Sequence, residues 1–103
     1  MVEHMVLFKF IDGVTSDQKN KMIAGLRRLK AIIPEIVDLT VGENFTDRSK
    51  GFHCGLVVRL MGRDGLKAYA EHPEHQAVVA SLIKPIVTDI IAIDYEIDSN
   101  CRT

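Results

Sequence analysis

Two segments of this chain are apolar on both sides of an extended strand, and this limits the fold more than any other feature. In residues 2–10, VEHMVLFKF, one alternation set comprises Val2, His4, Val6, Phe8 and Phe10. The other set contains Met5 and Leu7, so neither face of this strand is polar. Residues 53–60, HCGLVVRL, show the same pattern with two exceptions. Both faces of these two strands therefore require a cover.

A helix signal separates the first strand from the next. Residues 15–18, TSDQ, form a capping box in which Thr15 and Gln18 satisfy each other's backbone amides. Apolar residues then recur at helical spacing until Pro34 ends the run. Residues 36–43 alternate as a strand with one wetter face.

The second half of the chain repeats this order. After the sequence GRDG, a short helical piece carries Leu66 and Tyr69, and Pro73 starts a second piece, because proline is tolerated in a first helical turn. Residues 86–98 contain a last strand. The order β-α-β-β-α-β predicts an α+β fold over residues 1–98, a ferredoxin-like unit with a four-stranded antiparallel sheet. A short polar tail, residues 99–103, follows.

Such a unit has both helices on one face of the sheet and leaves the other face open. Because two strands are apolar on both faces, a monomer would expose a large apolar patch to water. A second copy packed sheet to sheet is the simplest closed solution, and it would bury on the order of 2,000 Å² or more in total. The pattern therefore predicts a homodimer formed through the sheet face.

Composition and charge exclude several classes of protein. The chain has 103 residues, 47% of them hydrophobic and 26% charged, as in a soluble single domain. A net charge of −1 without a long basic run argues against a nucleic-acid partner. The N-terminal apolar run is too short and too polar for a signal peptide or a membrane span, so we expect a cytoplasmic protein with no membrane partner. Cys54 and Cys101 are expected to be reduced.

The segment YAEHPEH, residues 69–75, holds the strongest candidate for chemistry. Tyr69, His72 and His75 are spaced three residues apart around Pro73. A neutral imidazole can accept a proton and a tyrosine hydroxyl can donate a hydrogen bond, which together allow general acid–base catalysis. His4 is a possible fourth member, because it shares a strand face with Val6, Phe8 and Phe10.

Each of these side chains also has a structural interpretation, and the sequence leaves the alternatives open. His72 can cap the helix that starts at Pro73, His75 and His4 can be hydrogen-bonded interior histidines, and Tyr69 can be a core residue. His4, His72 and His75 lack a further local ligand with metal-site spacing, so no metal site is predicted.

Several motifs resemble one family along nearly the whole chain. These are VEHMVLFKF at the start, VGEN before the loop that ends in KGFHCGLVVRL, then LKAYAEHPEHQAVV, and IIAIDY in the last strand. They are similar to the stress-responsive dimeric α/β-barrel (Dabb) domain over about residues 2–97. The resemblance implies a ferredoxin-like unit that dimerises through its sheets into a barrel.

The family includes olivetolic acid cyclase, which closes a linear polyketide by an aldol reaction. The resemblance implies that His75 acts as base and Tyr69 as donor to a carbonyl, with His4 and His72 lining the pocket. The remaining cavity residues that it implies are Val6, Phe8, Met22, Ile23 and Leu26. The last three stand where the cyclase has aromatic residues, so the pocket wall differs. Some relatives hold a structural magnesium ion at the end of the first helix, here residues 30–36; no other cofactor is implied.

These observations give a ranked set of functional hypotheses. The first is a homodimeric stress-response barrel protein whose cavity binds a small apolar or phenolic molecule. The second is a polyketide cyclase or related lyase without a cofactor, and the third is a structural stress protein without a ligand. A cofactor-free quinol monooxygenase, the activity of related barrel folds, is a distant fourth.

Overall fold

A computed structural model describes residues 1–97, which form one four-stranded sheet with its helices on one face. Residue 98 and the predicted polar tail at residues 99–103, which contains Cys101, lie outside the described residues. The strands are β1 (Val2–Phe10), β2 (Ile36–Glu43), β3 (Cys54–Leu60) and β4 (Val87–Glu96). The helices are α1 (Ser16–Ile32), α2 (Gly62–Glu71) and α3 (Pro73–Val78).

The sheet has the order β2-β3-β1-β4, and every neighbouring pair is antiparallel. The predicted ferredoxin-like α+β fold is confirmed. Since β1 is central, it pairs with β3 on one side and with β4 on the other, and this register places His4 opposite both Val58 and Asp94. The first and last strands are thereby paired at one side of the sheet.

The boundaries of α1 follow from its capping residues. The Gln18 amide donates to Thr15 Oγ1 over 3.1 Å, and the Thr15 amide donates to Gln18 Oε1 over 3.0 Å, so the predicted capping box is present. At the other end, the Ile33 amide donates to the Leu29 carbonyl just before Pro34, which cannot continue the helix. The sequence therefore determines both ends of this helix locally.

The helical region between β3 and β4 differs from the prediction in two details. Helix α2 starts at Gly62 rather than after GRDG, because Gly62 adopts φ +70 and turns the chain directly out of β3. The predicted restart at Pro73 is present, but α3 passes into a π-helical segment, Val79–Ile83, in which the Lys84 amide donates to the Val79 carbonyl. No sequence signal indicated that wider turn.

The two faces of the sheet differ sharply in burial. On the covered face, strand residues pack against the buried side of α1; the core includes Val6, Phe8, Leu39, Leu56, Val58, Met22, Leu26 and Leu29. The open face is the opposite surface of the sheet, and its exposed apolar residues are Leu7, Ile91, Ile93 and Tyr95. In a single chain, the covered face is therefore a packed core, and the open face is an apolar surface exposed to solvent.

Strand β4 is a special case. From Thr88 to Glu96 every residue is exposed, including Ile90, which lies on the same side of the sheet as the helices. The helices pack mainly over β1, β2 and β3, and α2 reaches this edge strand near Glu96, where Arg63 forms an ion pair with it. None of the helices in the described part of the chain is long and apolar enough to cross a membrane.

Candidate functional site

Three of the predicted site residues meet at one end of the covered face. His4 is contributed by β1, Tyr69 by α2 and His75 by α3. The Tyr69 ring lies 4.3 Å from the His75 ring and 5.7 Å from the His4 ring, measured between centroids. The break at Pro73 reorients the chain between Tyr69 and His75, and their rings are nevertheless in contact.

Tyr69 is the buried centre of this cluster. The residue is 1% exposed, and its hydroxyl has no hydrogen-bond partner among the described residues. Burial raises the pKa of the Tyr69 hydroxyl to about 12, so the group stays protonated at neutral pH. Tyr69 therefore presents a hydrogen-bond donor that nothing in the described protein uses.

His75 is held in one tautomer by the backbone. Its Nδ1 lies 3.2 Å from the Ala70 carbonyl, and because a carbonyl oxygen can only accept, Nδ1 must carry the proton. Nε2 is then the unprotonated nitrogen. Burial lowers the pKa of His75, with smaller contributions in the same direction from His4 and His72, while the bond to Ala70 opposes the shift. The imidazole is accordingly neutral and can act as a base near pH 7.

His72 lies at the junction between α2 and α3 and acts as a cap. Its Nδ1 accepts a hydrogen bond from the Glu74 amide over 3.1 Å, which satisfies one of the free amides at the start of α3. His72 therefore caps the start of α3, as its structural interpretation predicted. Its predicted part in lining a pocket stays a prediction.

The site also contains a residue that the sequence reasoning missed, Asp94. His4 Nδ1 lies 2.5 Å from Asp94 Oδ1, and the two residues face each other directly in the β1–β4 ladder. An ionised carboxylate accepts only, so His4, like His75, carries its proton on Nδ1. The alternation of β4 places Asp94 and Ile90 on one side, but only the strand order shows that this side adjoins His4.

The five apolar residues predicted to line a cavity are all buried in the core, and their part in a cavity stays a prediction. Their exposed fractions run from 0% to 8%; they are Val6, Phe8, Met22, Ile23 and Leu26. An open space does exist nearby, at the end of β4. This space, the β4 groove, has a volume of about 370 Å³ and is lined by Val2, Arg63, Leu66, Asp94, Tyr95 and Glu96.

Two other titratable residues are placed away from the cluster. Burial raises the pKa of the Cys54 thiol to about 11, which makes it a poor nucleophile. His53 stacks on the Phe10 ring at 5.5 Å, and its Nδ1 accepts a hydrogen bond from the Phe10 amide over 3.0 Å. Both residues therefore have structural roles at the other end of β1.

The described residues offer little for a metal ion. Within residues 1–97, no group of three or more His, Cys, Asp or Glu side chains is placed to hold one. At the turn after α1, the carbonyls of Leu29, Ile33 and Glu35 already accept backbone amides. A structural magnesium ion at this turn remains a prediction.

Known proteins are similar to this chain over most of its length. An uncharacterised protein of Streptomyces coelicolor is 39% identical over 99 residues, covering 93% of this chain and 99% of that protein. A stress-response A/B barrel domain-containing protein of Arabidopsis thaliana is 31% identical; the match covers 95% of this chain but only 37% of the plant protein. Olivetolic acid cyclase of Cannabis sativa is 29% identical over 76 residues, which cover 72% of this chain and 75% of the cyclase.

Solved structures show the same architecture. A dimeric ferredoxin-like protein of unknown function from Thermobifida fusca has a TM-score of 0.83 at 33% identity, covering 93% of this chain and 90% of that one. Hydroxynitrile lyase from Passiflora edulis has a TM-score of 0.85 at 20% identity, covering 95% and 94%, and this likeness shows the fold alone. The family model described as the stress responsive A/B barrel domain (Dabb) matches residues 2–97. This chain therefore belongs to the stress responsive A/B barrel domain family, as its motifs indicated.

Proposed function

We propose that this protein is a homodimer, packed through its open sheet faces, that binds a small apolar or phenolic molecule beside Tyr69 and His75. The dimer is supported by the apolar residues left exposed on the open face and by the dimeric ferredoxin-like proteins that share the fold. Burying Ile91, Ile93 and Tyr95 against a second copy would remove that surface from water.

The observation that carries ligand binding is the unused hydroxyl of Tyr69. A buried donor without a partner costs about 1–3 kcal/mol relative to one that is satisfied. A protein tolerates such a group when the missing acceptor arrives with a ligand, such as a carbonyl or phenolic oxygen. The surrounding groups fit a small molecule of this kind, because the rings of His4 and His75 lie against Tyr69, which is itself part of the apolar core.

The test compares the two tyrosines of the chain. Tyr69→Phe removes the buried hydroxyl, while the control Tyr95→Phe removes one that is half exposed and lies 3.9 Å from Met5 Sδ. In a thermal-shift screen of phenols, fatty acids and polyketide mimics, we expect wild type and Tyr95→Phe to be stabilised by the same compounds. Tyr69→Phe should lose this response while melting at the same temperature or higher without ligand, because an unsatisfied polar group has been removed.

Two results would count against ligand binding at this site. If Tyr69→Phe responded to every compound as strongly as wild type, the hydroxyl would have no part in recognition. If no compound stabilised the wild-type protein, the third hypothesis, a structural stress protein without a ligand, would be favoured.

A second candidate function is acid–base catalysis of an aldol-type cyclisation or a related lyase reaction. The observation that favours it is the fixed tautomer of His75, which leaves Nε2 as a base beside the donor Tyr69. His75 would abstract a proton next to a carbonyl that the Tyr69 hydroxyl polarises. The similarity to olivetolic acid cyclase is consistent with this chemistry, although a shared fold does not by itself transfer a reaction.

Catalysis is tested on a linear poly-β-keto thioester, with product formation followed by chromatography. His75→Ala and Tyr69→Phe should each abolish cyclised product without changing the circular dichroism spectrum. Turnover that survives in both variants would exclude this assignment of roles. A variant that only lowered the melting temperature would indicate a packing role.

A further inference from the structure

The β4 groove adjoins the Tyr69 cluster through two different elements. On α2, Leu66 lines the groove and precedes Tyr69 by three residues, so the two side chains lie on the same side of the helix. On the sheet, Asp94 lines the groove and is bonded to His4, whose ring is in contact with Tyr69. The groove is thus the open space next to the buried donor and its two histidines.

The walls of the groove combine apolar surface with the carboxylate of Asp94, which can accept further hydrogen bonds. Val2 and Leu66 contribute aliphatic atoms to the lining, and Tyr95 lies at its edge, at a strand position whose side chain belongs to the open face. Asp94 uses Oδ1 for His4, but a carboxylate has two oxygens with about four lone-pair sites. Its side chain is 42% exposed, so a ligand in the groove can reach it.

The remaining polar residues of the groove are already paired. Arg63 Nε donates to Glu96 Oε1 over 2.9 Å, and this ion pair joins the start of α2 to the end of β4 at the exposed rim. With Arg63 neutralised by Glu96, Asp94 leaves the groove with an excess of negative charge. The groove therefore disfavours an anionic ligand and favours a neutral one that donates a hydrogen bond.

We propose that the β4 groove is the ligand site and that its ligand is a neutral hydroxyaryl compound. The ligand's hydroxyl donates to Asp94, and its ring packs on Val2 and Leu66. This inference rests on the proposed ligand binding and adds its location and the ligand's chemical class. It also moves the site away from the five core residues that the family resemblance implied.

The test is an NMR titration of the full chain, labelled with ¹⁵N, with three matched probes: 4-propylphenol, 4-propylanisole and 4-propylbenzoate. We expect the phenol to shift the amides of Val2, Leu66 and Asp94 and to bind about tenfold more tightly than the anisole, the effect of one hydrogen bond to a charged acceptor. The benzoate should bind more weakly than the phenol. Asp94→Ala should remove the preference for phenol over anisole.

The control is Asp89→Ala, which removes another exposed carboxylate of β4 at the far end of the strand and should keep the full preference. Leu66→Gln provides a second variant that leaves the His4–Asp94 pair intact and should weaken both the phenol and the anisole. Each variant is first checked for a wild-type pattern of dispersed amide signals.

The outcomes separate this inference from the proposed function. The groove would be excluded as the site if the phenol shifted mainly the amides of Met22 and Leu26. It would also be excluded if Asp94→Ala kept the preference for phenol over anisole. Either result would still be compatible with ligand binding elsewhere in the protein. Preferred binding of the benzoate would overturn the neutral ligand class. If none of the three probes bound at millimolar concentration, both this inference and binding of small phenolic molecules would fail.

Discussion

The two faces of the sheet use the same kinds of residue for different purposes. Val57 and Val58 are neighbours on β3, yet Val58 is 0% exposed against the helices, whereas Val57 lies half-buried on the open face. On the covered face, α1 completes a core within one chain. On the open face, the described chain has no element that could do so, although Leu7, Ile91 and Ile93 are just as apolar.

Apolar character therefore does not by itself mean that a residue of this sheet is buried within one chain. The covered face stabilises the single chain, whereas in the proposed dimer a second copy would stabilise the open face. The polar cluster of His4, Tyr69 and His75 lies on the covered face, so each chain builds its own cluster from β1, α2 and α3. The comparison can be tested by changing one face at a time.

The largest effect is expected for a charge on the open face. Ile93→Glu, at a position 54% exposed in the single chain, should leave the fold intact but prevent dimerisation, because it would bury a carboxylate without a partner. Light scattering should then give the chain mass of 11.5 kDa instead of twice that value. The control Ile32→Glu, at an exposed position near the end of α1, should remain dimeric. A dimeric Ile93→Glu protein would mean that the chains associate elsewhere.

A smaller effect is expected for the matched valines. Val58→Ala should lower the free energy of unfolding by about 2 kcal/mol, from the lost burial and the cavity that remains. Val57→Ala should cost less in the single chain, and its cost should grow with protein concentration, since dimerisation stabilises the folded state by mass action. Urea unfolding at two protein concentrations measures the cost of each substitution. A cost for Val57→Ala that is independent of concentration would contradict a role for the open face in assembly.

The smallest effect is a pH dependence of stability from His75. Its pKa is lowered by burial in the folded protein, whereas the unfolded chain titrates near 6.5, so below that pH the unfolded state binds more protons. The contribution of His75 is therefore fully present above about pH 6.5 and is lost as the pH falls toward the lower pKa of the folded state. His75→Gln should reduce the slope of melting temperature against pH in this window. An unchanged slope would mean that burial of His75 does not control its ionisation.

Most of the fold could be predicted because its signals are local. The capping box at Thr15, the stop at Pro34 and the restart at Pro73 each depend on residues within one helical turn. The two-faced pattern of β1 also indicated an uncovered face before any topology was known. The wider turn of Val79–Ile83 could not be predicted, since its residues carry no local signal that distinguishes it from an α-helix.

The site was predictable only in part, because some of its members meet through the strand order. Tyr69 and His75 lie within one motif, and their ring contact follows from two adjacent helices. Asp94 is 90 residues from His4 in sequence, and pairing alone brings them together. The core packing of Met22 and Leu26 likewise depends on side chains from several elements, so the sequence alone does not show which core residues would line a cavity.

The open face as a dimer interface is tested most directly by sedimentation equilibrium of the wild-type protein over a wide range of concentrations. The apolar surface at Leu7, Ile91, Ile93 and Tyr95 predicts a mass of twice 11.5 kDa at micromolar concentration, with dissociation only on dilution. A single-chain mass at every concentration would contradict this account, because the open face would then be stable in water without a partner.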